Sequence, residues 1–178
     1  MPRLFVAIDL PERIRDDLSS IYSAIPGARW MEDDQIHLTL RFIGEVEPAI
    51  ENNIISALGT ISTPPFTINL KNVGVFPPRK EPRVLWIGVQ ENNTLLRLQN
   101  QIERSLVNIR LEPDPRKFHA HITIARLNNA HKDRLAEFIS TNSLFCTEPF
   151  EVSEFVLYRS YLGKDRSHYV KEATFRLN

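Results

Sequence analysis

The feature of this sequence that most constrains its fold is a short pattern that occurs twice. The segments His37–Leu40 and His121–Ile124 both read His-x-Thr-x with apolar residues at the x positions, and their histidines lie 84 residues apart. In an extended strand, residues i and i+2 point to the same side, so each segment presents an imidazole and a hydroxyl on one face. The repetition indicates a weak internal repeat in which each half contributes one such strand.

Hydrophobic periodicity around the two segments predicts a mixture of strands and helices. The predicted helices are residues 12–25, 47–58, 92–109 and 131–140. The predicted strands are residues 3–9, 35–44, 66–76, 83–89, 117–126, 147–158 and 168–177. This order is not a strict βαβ alternation, so it predicts an α+β fold with mostly antiparallel pairing. If the two halves are related by a pseudo-twofold axis, the motif strands face each other across a central cleft.

Length and composition narrow the range of functions. A chain of 178 residues suits one domain or two small lobes that share a core. Its 22 Lys and Arg balance 22 Asp and Glu, so we expect local rather than long-range attraction of any nucleic acid. The apolar N-terminal run is too short for a signal peptide, and no run approaches the ~20 residues of a membrane span. A single cysteine, Cys146, predicts a reducing cytoplasm and a small buried side chain.

The two motif strands together carry residues suited to a phosphodiester. His37 and His121 can remove a proton from an entering oxygen and give one to a leaving oxygen, because the unperturbed pKa of histidine is about 6.5. Thr39 and Thr123 can donate hydrogen bonds to the non-bridging phosphate oxygens. His119 shares a strand face with His121 at a spacing typical of metal ligands, but no cysteine or carboxylate is placed to complete a metal site. We therefore predict catalysis without a metal or another cofactor.

These motifs resemble the signature of the two-histidine (2H) phosphoesterases. Longer segments resemble one branch, the RNA 2′,3′-cyclic phosphodiesterases, long called the 2′-5′ RNA ligase family. The segments that carry this resemblance are Leu4–Ile8, His37–Gly44, Arg83–Val89, Phe118–Arg126 and Phe155–Ser160. The resemblance extends from Arg3 almost to the C-terminus. It implies a bilobal pseudo-twofold fold, with two mostly antiparallel sheets lining a central cleft and helices outside.

The resemblance also implies an activity and roles for particular residues. The activity is hydrolysis of an RNA 2′,3′-cyclic phosphate to a 2′-phosphate end, in which His121 activates water and His37 protonates the departing 3′ oxygen. The motif threonines match the family's phosphate-binding residues. The residues five positions after the histidines, Phe42 and Arg126, match positions that bind the terminal base. Strand alternation predicts otherwise, since it places Arg41 on the face of His37 and Phe42 on the apolar face.

Alternatives remain open within the same chemistry. If a 5′-hydroxyl replaces water as the nucleophile, the same site performs reversible 2′-5′ ligation. If the protein has the fold without catalysis, it is an RNA-end binding module. The site chemistry also suits other cyclic or 2′-5′-linked phosphodiesters. The expected partner is an RNA with a 2′,3′-cyclic phosphate end, such as a tRNA fragment, bound by a monomer. The sequence departs from the family at Ala120, where proline is usual, and at 164–169, where a glycine-rich turn is usual. Lys164 and Arg166 either contact RNA there or form a solvated loop.

Overall fold

Two four-stranded sheets, a two-stranded sheet and four helices form the protein in a computed structural model, which describes residues 1–178. The strands are β1 (Arg3–Asp9), β2 (Ala28–Trp30), β3 (His37–Glu45), β4 (Phe66–Ile68), β5 (Leu70–Phe76), β6 (Val84–Val89), β7 (His121–Leu127), β8 (Phe150–Val152), β9 (Glu154–Leu162) and β10 (Ser167–Arg176). The helices are α1 (Glu12–Ser20), α2 (Pro48–Gly59), α3 (Asn93–Asn108) and α4 (Lys132–Thr141). No helix is long and apolar enough to cross a membrane.

Each four-stranded sheet contains one motif strand. The first sheet has the order β10-β9-β1-β3 and the second has the order β2-β7-β6-β5. All strand pairs are antiparallel. The predicted α+β fold, with antiparallel sheets and helices packed outside them, is therefore confirmed.

A pseudo-twofold relation is visible in the small sheet. Strands β4 and β8 pair with each other, with Phe66 opposite Val152 and Ile68 opposite Phe150. The strands begin at Phe66 and Phe150, which are separated by the same 84 residues as the motif histidines. After β4, strand β5 pairs with β6 in the sheet that contains the second motif strand, β7. After β8, strand β9 pairs with β1 in the sheet that contains the first motif strand, β3. This exchange ties the two halves together.

One continuous apolar core holds the two large sheets in a fixed relation. It contains 34 buried residues, drawn from both four-stranded sheets and all four helices. Helix α1 contributes Ile14 and Leu18, which are one turn apart and face inward because of the helical period. A second, smaller cluster lies on the other side of the first sheet. It consists of Phe5, Ala7, Val156 and Tyr158.

The structure differs from the predicted elements at several points. The predicted strands 66–76 and 147–158 are each two strands, separated at Asn69 and Ser153, where the chain passes from the small sheet to a large one. Helix α1 ends at Ser20 rather than near residue 25, and the hydroxyls of Ser19 and Ser20 donate to carbonyls three residues earlier. The short strand β2 was not predicted, and Cys146 is exposed rather than buried.

Candidate active site

The first motif strand carries His37 and Thr39 on one face, as predicted, and then changes its alternation. In the pairing of β3 with β1, the register shifts by one residue between Thr39 and Arg41, so Leu40 is an extra residue and forms a β-bulge. As a result Leu40 and Arg41 are both buried, whereas Phe42 is 49% exposed. The prediction that placed Arg41 beside His37 and Phe42 on the apolar face is wrong, because alternation does not hold through a bulge.

The second motif strand contains the same irregularity. Between Thr123 and Ala125, the register of β7 against β6 shifts by one residue, so Ile124 is the extra residue. Ile124 and Ala125 are fully buried, and Arg126 is exposed. Both bulges therefore return the fifth residue after each histidine to the face that carries the histidine.

His37 is enclosed by aromatic rings and lies next to a carboxylate. The ring of Phe5 is 4.9 Å from the imidazole and that of Tyr169 is 5.2 Å away, centroid to centroid. Burial lowers the pKa of His37 to about 4, and the negative charge of Asp9 opposes this shift. The backbone of Gln35 also raises the pKa of His37.

His121 has a hydrogen bond to a backbone carbonyl and different charged neighbours. Its Nδ1 lies 2.7 Å from the carbonyl oxygen of His119. Because a carbonyl only accepts, Nδ1 carries the proton and Nε2 is left free to exchange protons with a ligand. Burial lowers the pKa of His121, and the positive charges of Arg126 and Arg116 act in the same direction. The ring of Phe76 packs edge-on against the imidazole at 5.1 Å.

The two motif strands converge on one small volume. Strands β3 and β7 contact each other although they belong to different sheets. The charge of His121 lowers the pKa of His37, and Arg126 lowers the pKa of both imidazoles, so these three side chains lie within electrostatic reach of one another. Thr39 and Thr123 are half-buried on the same strand faces as the histidines. The cleft thus brings together two proton carriers, two hydroxyls and a guanidinium.

Buried Arg41 anchors the segment that covers one edge of this cleft. Its Nε lies 2.5 Å from the carboxylate of Glu103, and its guanidinium also donates to the carbonyls of Phe42 and Glu112. The segment beyond Glu112 carries Arg116, whose guanidinium lies 5.8 Å from the centre of the Phe42 ring. The cation that contacts the Phe42 ring is therefore Arg116, whereas the resemblance implies that Phe42 and Arg126 bind the terminal base.

Sequence reasoning missed a group of residues next to His37. Asp9 is the cross-strand partner of His37 in the pairing of β1 with β3. The Tyr158 hydroxyl donates to one oxygen of Asp9, and Lys171 Nζ lies 2.6 Å from the other. Burial raises the pKa of Tyr158, and so does its hydrogen bond to Asp9. The only sequence signal was an acidic residue directly after an apolar strand.

Other residues considered in the sequence have simpler surroundings. Trp86, predicted as core, is half-buried, and its ring lies 5.1 Å from that of His119 and 5.2 Å from that of Phe76. In the charged loop, Arg166 pairs with Asp34 at 3.0 Å, which holds the loop against the turn before β3. No group of three or more His, Cys, Asp or Glu side chains is arranged to hold a metal ion.

Comparison with known proteins places this cleft in a recognised class. The family model described as LigT-like phosphoesterase matches the chain twice, over residues 8–86 and 87–169. The fold and paired motifs define a two-histidine phosphoesterase, and the chain belongs to the LigT-like phosphoesterase family. The family predicted from the motifs is confirmed.

Curated relatives carry one common description. A protein of Archaeoglobus fulgidus is 34% identical over 163 residues, which cover 90% of this chain and 92% of that protein. One from Methanothermobacter thermautotrophicus is 32% identical over 184 residues, with 98% of each chain covered. One from Escherichia coli is 30% identical, with 94% of this chain and 92% of that protein covered. All three are described as RNA 2′,3′-cyclic phosphodiesterase.

Solved structures agree with this relationship. E. coli LigT complexed with 3′-AMP is 29% identical, with a TM-score of 0.80 and coverage of 100% of this chain and 99% of that one. A crystal structure described as a phosphoesterase gives a TM-score of 0.81 at 29% identity, again covering 100% and 99%. The fold is therefore shared with a protein whose crystal structure is described as a complex with 3′-AMP.

Proposed function

We propose that this protein hydrolyses RNA 2′,3′-cyclic phosphate ends to 2′-phosphates by acid–base catalysis. The observation that carries the proposal is the convergence of His37 and His121 from pseudo-equivalent strands on one cleft. The bond from His121 Nδ1 to the His119 carbonyl orients that imidazole and leaves Nε2 for the substrate. The relatives described as RNA 2′,3′-cyclic phosphodiesterases support the same substrate class.

The reaction needs one proton removed and one proton supplied. Neutral His121 accepts a proton from water as the water oxygen bonds to phosphorus. The bond between phosphorus and the 3′ oxygen breaks, and protonated His37 gives its proton to that oxygen, which leaves a 3′-hydroxyl and a 2′-phosphate. Burial keeps the pKa of His37 low in the free protein. A bound phosphodiester anion favours the imidazolium and raises that pKa in the complex.

The remaining site residues hold the phosphate and the base. Thr39 and Thr123 donate hydrogen bonds to the non-bridging oxygens, where they stabilise charge without help from a metal. Phe42 stacks on the terminal base from one side, and a guanidinium covers its other face. The bulges in β3 and β7 support this role, because they turn Phe42 and Arg126 toward the histidines. Arg116 already lies over Phe42, so it moves aside or contributes to the same stack.

Product analysis on a short RNA with a 2′,3′-cyclic phosphate end tests the proposal. We expect complete conversion to the 2′-phosphate with a chelator present, separated by chromatography from synthetic 2′- and 3′-phosphate standards. The same RNA ending in a 3′-phosphate should remain unchanged. A 3′-phosphate product, or bound but unconverted substrate, contradicts the assignment, and the second result favours a binding module. Adding an RNA with a 5′-hydroxyl tests ligation, which we expect to be minor because water is in large excess.

We also propose that the working unit is a single bilobal domain made of two repeated halves. The two successive matches to the family model and the 84-residue offset of β4 and β8 support a duplicated chain. Because one chain supplies both histidines, we propose that it acts as a monomer, in the cytoplasm, on RNA ends such as tRNA fragments. Light scattering at working concentrations checks the oligomeric state, and sequencing of RNAs trapped by an inactive variant checks the substrates.

A further inference from the structure

The two histidines have very different partners on the neighbouring strand. In the first sheet, β1 places Asp9 directly opposite His37, and in the second sheet, β6 places Gly88 opposite His121. Directly opposed residues of an antiparallel pair have Cβ atoms about 4.5–5.5 Å apart and point to the same side. The side chain of Asp9 therefore lies beside His37, whereas Gly88 offers no side chain to His121.

Two side chains from the C-terminal hairpin fix the Asp9 carboxylate. The Tyr158 hydroxyl in β9 donates to one carboxylate oxygen, and Lys171 Nζ in β10 lies 2.6 Å from the other. Tyr158 is itself held by stacking on Phe5 at 5.2 Å, and Phe5 also contacts His37. With both oxygens engaged, the carboxylate is held in one position next to the imidazole.

The second lobe has no room for such a carboxylate. A Cβ on Gly88 would lie 2.7 Å from the carbonyl oxygen of Lys71 and 3.3 Å from the Trp86 ring, which is too close for any side chain. The charges that lower the pKa of His121 most are those of His119, Arg126 and Arg116, none of which is acidic. The asymmetry is therefore built into the backbone and not only into the choice of one residue.

Resting on the function proposed above, we infer that Asp9 is a positioning residue that favours the imidazolium of His37, with Tyr158 holding it in place and Lys171 as its counter-ion. The charged and titratable groups that face His37 are Asp9 from β1, Tyr158 from β9, Tyr169 and Lys171 from β10, and Arg126 and His121 from β7. Asp9 is the only acid among them. It makes His37 the proton donor and leaves the acid-free His121 as the base.

The role of Asp9 is electrostatic, and no proton passes to it. When the bond between phosphorus and the 3′ oxygen breaks, His37 loses its proton to that oxygen and becomes neutral, while Asp9 remains a carboxylate. The benefit of Asp9 therefore applies to the step in which the leaving oxygen is protonated. A leaving group that needs no proton should not depend on Asp9.

Asp9→Asn tests this role with two substrates. On adenosine 2′,3′-cyclic phosphate, we expect kcat to fall about tenfold at pH 8 and the alkaline limb of the kcat profile to move about one pH unit lower, with the acid limb unchanged. On the analogue with sulfur in place of the 3′ oxygen, whose thiolate leaves without a proton, we expect a loss of less than about twofold. Asp17→Asn, which removes an exposed carboxylate of α1, should leave both rates unchanged.

The variant Lys171→Met distinguishes an electrostatic effect of Asp9 on His37 from a loss of activity caused by structural damage. Because Tyr158 still holds Asp9 in this variant, removing the cation beside the carboxylate should move the alkaline limb to higher pH, opposite to the effect of Asp9→Asn. Thermal unfolding should confirm that both variants fold. Equal losses on the oxygen and sulfur substrates, or shifts of the same sign in both variants, would overturn the inference. Hydrolysis by the unchanged protein is measured in the same assay, so failure of the proposed function is distinguishable from failure of this role.

Discussion

The two sheets present nearly the same strand to the cleft in different surroundings. Each motif strand places three residues on the cleft face: the histidine, the threonine and the residue five positions after the histidine. In each strand, a bulge after the threonine brings that last residue to this face. Around His37 lie Phe5, Tyr169 and a carboxylate, whereas around His121 lie Phe76 and cationic side chains. A repeated framework supplies matched positions, and the neighbours of each position decide which task it performs.

A second pair of equivalent positions shows the same principle. Arg41 and Ala125 both follow the bulge and are both buried. Arg41 is a buried cation with partners from Glu103 and two backbone carbonyls, and it fastens the segment that carries Arg116. Ala125 only fills space in the core. The repeat fixes where a side chain lies, and the chain outside the repeat decides whether that side chain anchors a loop.

The largest expected effect comes from removing either histidine. His37→Ala and His121→Ala should each lower kcat by roughly 10³-fold, because each removes one of two proton transfers that occur in the same step. The double variant should lose little more than either single variant, since both residues act in one step. Initial rates on adenosine 2′,3′-cyclic phosphate measure both effects.

The matched control for this pair is His131→Asn. His131 caps α4, where its ring accepts a hydrogen bond from the backbone of Arg134, and asparagine is a good replacement at such a position. We expect unchanged kcat and KM in this variant. Retention of wild-type activity by either cleft variant would refute the paired mechanism.

The next largest effect comes from the threonines. Thr39→Val and Thr123→Val preserve shape and remove one hydrogen-bond donor to the phosphate, so each should lower kcat by about 10²-fold. If the two threonines bind the phosphate equally well, the decreases in kcat of the two variants should agree within a few-fold. Single-turnover rates measure them, and Thr60→Val at the end of α2 is the control, since that hydroxyl donates only to a helix carbonyl. A loss confined to one threonine would show that one lobe holds the phosphate.

The elements that sequence patterns predicted well are those with a local cause. Helices α2 and α4 and strand β3 lie where their periodicity placed them, because burial of one face dictates the pattern. The second motif strand was predicted from residue 117, but β7 begins at His121. The breaks at Asn69 and Ser153 were not predictable in this way. Residues on both sides of each break favour strands, and only pairing with distant strands decides that the chain changes sheets there.

The residues of the candidate site also differ in whether local sequence or distant pairing determines their positions. The positions of His37 and Thr39 follow from alternation alone, whereas Phe42 reaches the site through a bulge that depends on β1. Only the family resemblance pointed to Phe42. Asp9 and Tyr158 could not be assigned from sequence, since their contact joins residues 149 positions apart.

The pH dependence of stability compares the two histidines directly. The pKa of folded His37 is about 4, below the unfolded value of about 6.5, so the unfolded chain binds more protons between these pH values. The free energy of unfolding therefore rises as pH increases from 4 to 6.5 and is constant above, by at most about 3 kcal/mol from this residue. Urea unfolding of His37→Gln should lack this part of the slope. His121→Gln should lose a smaller part of the pH dependence of the free energy of unfolding. A larger loss in His121→Gln than in His37→Gln would show that His121 has the larger pKa shift.

The smallest expected effects concern the base, where the equivalent positions Phe42 and Arg126 differ in charge. Phe42→Ala should lower kcat/KM for adenosine 2′,3′-cyclic phosphate about tenfold through lost stacking, and should not affect glycerol 1,2-cyclic phosphate, which has no base. Arg126→Ala should lower kcat/KM for both substrates, because its charge reaches both histidines and the phosphate between them. Tyr161→Ala, an exposed aromatic of β9, is the control. If both variants affect the two substrates equally, neither side chain contacts the base, and the bulges serve the phosphate alone.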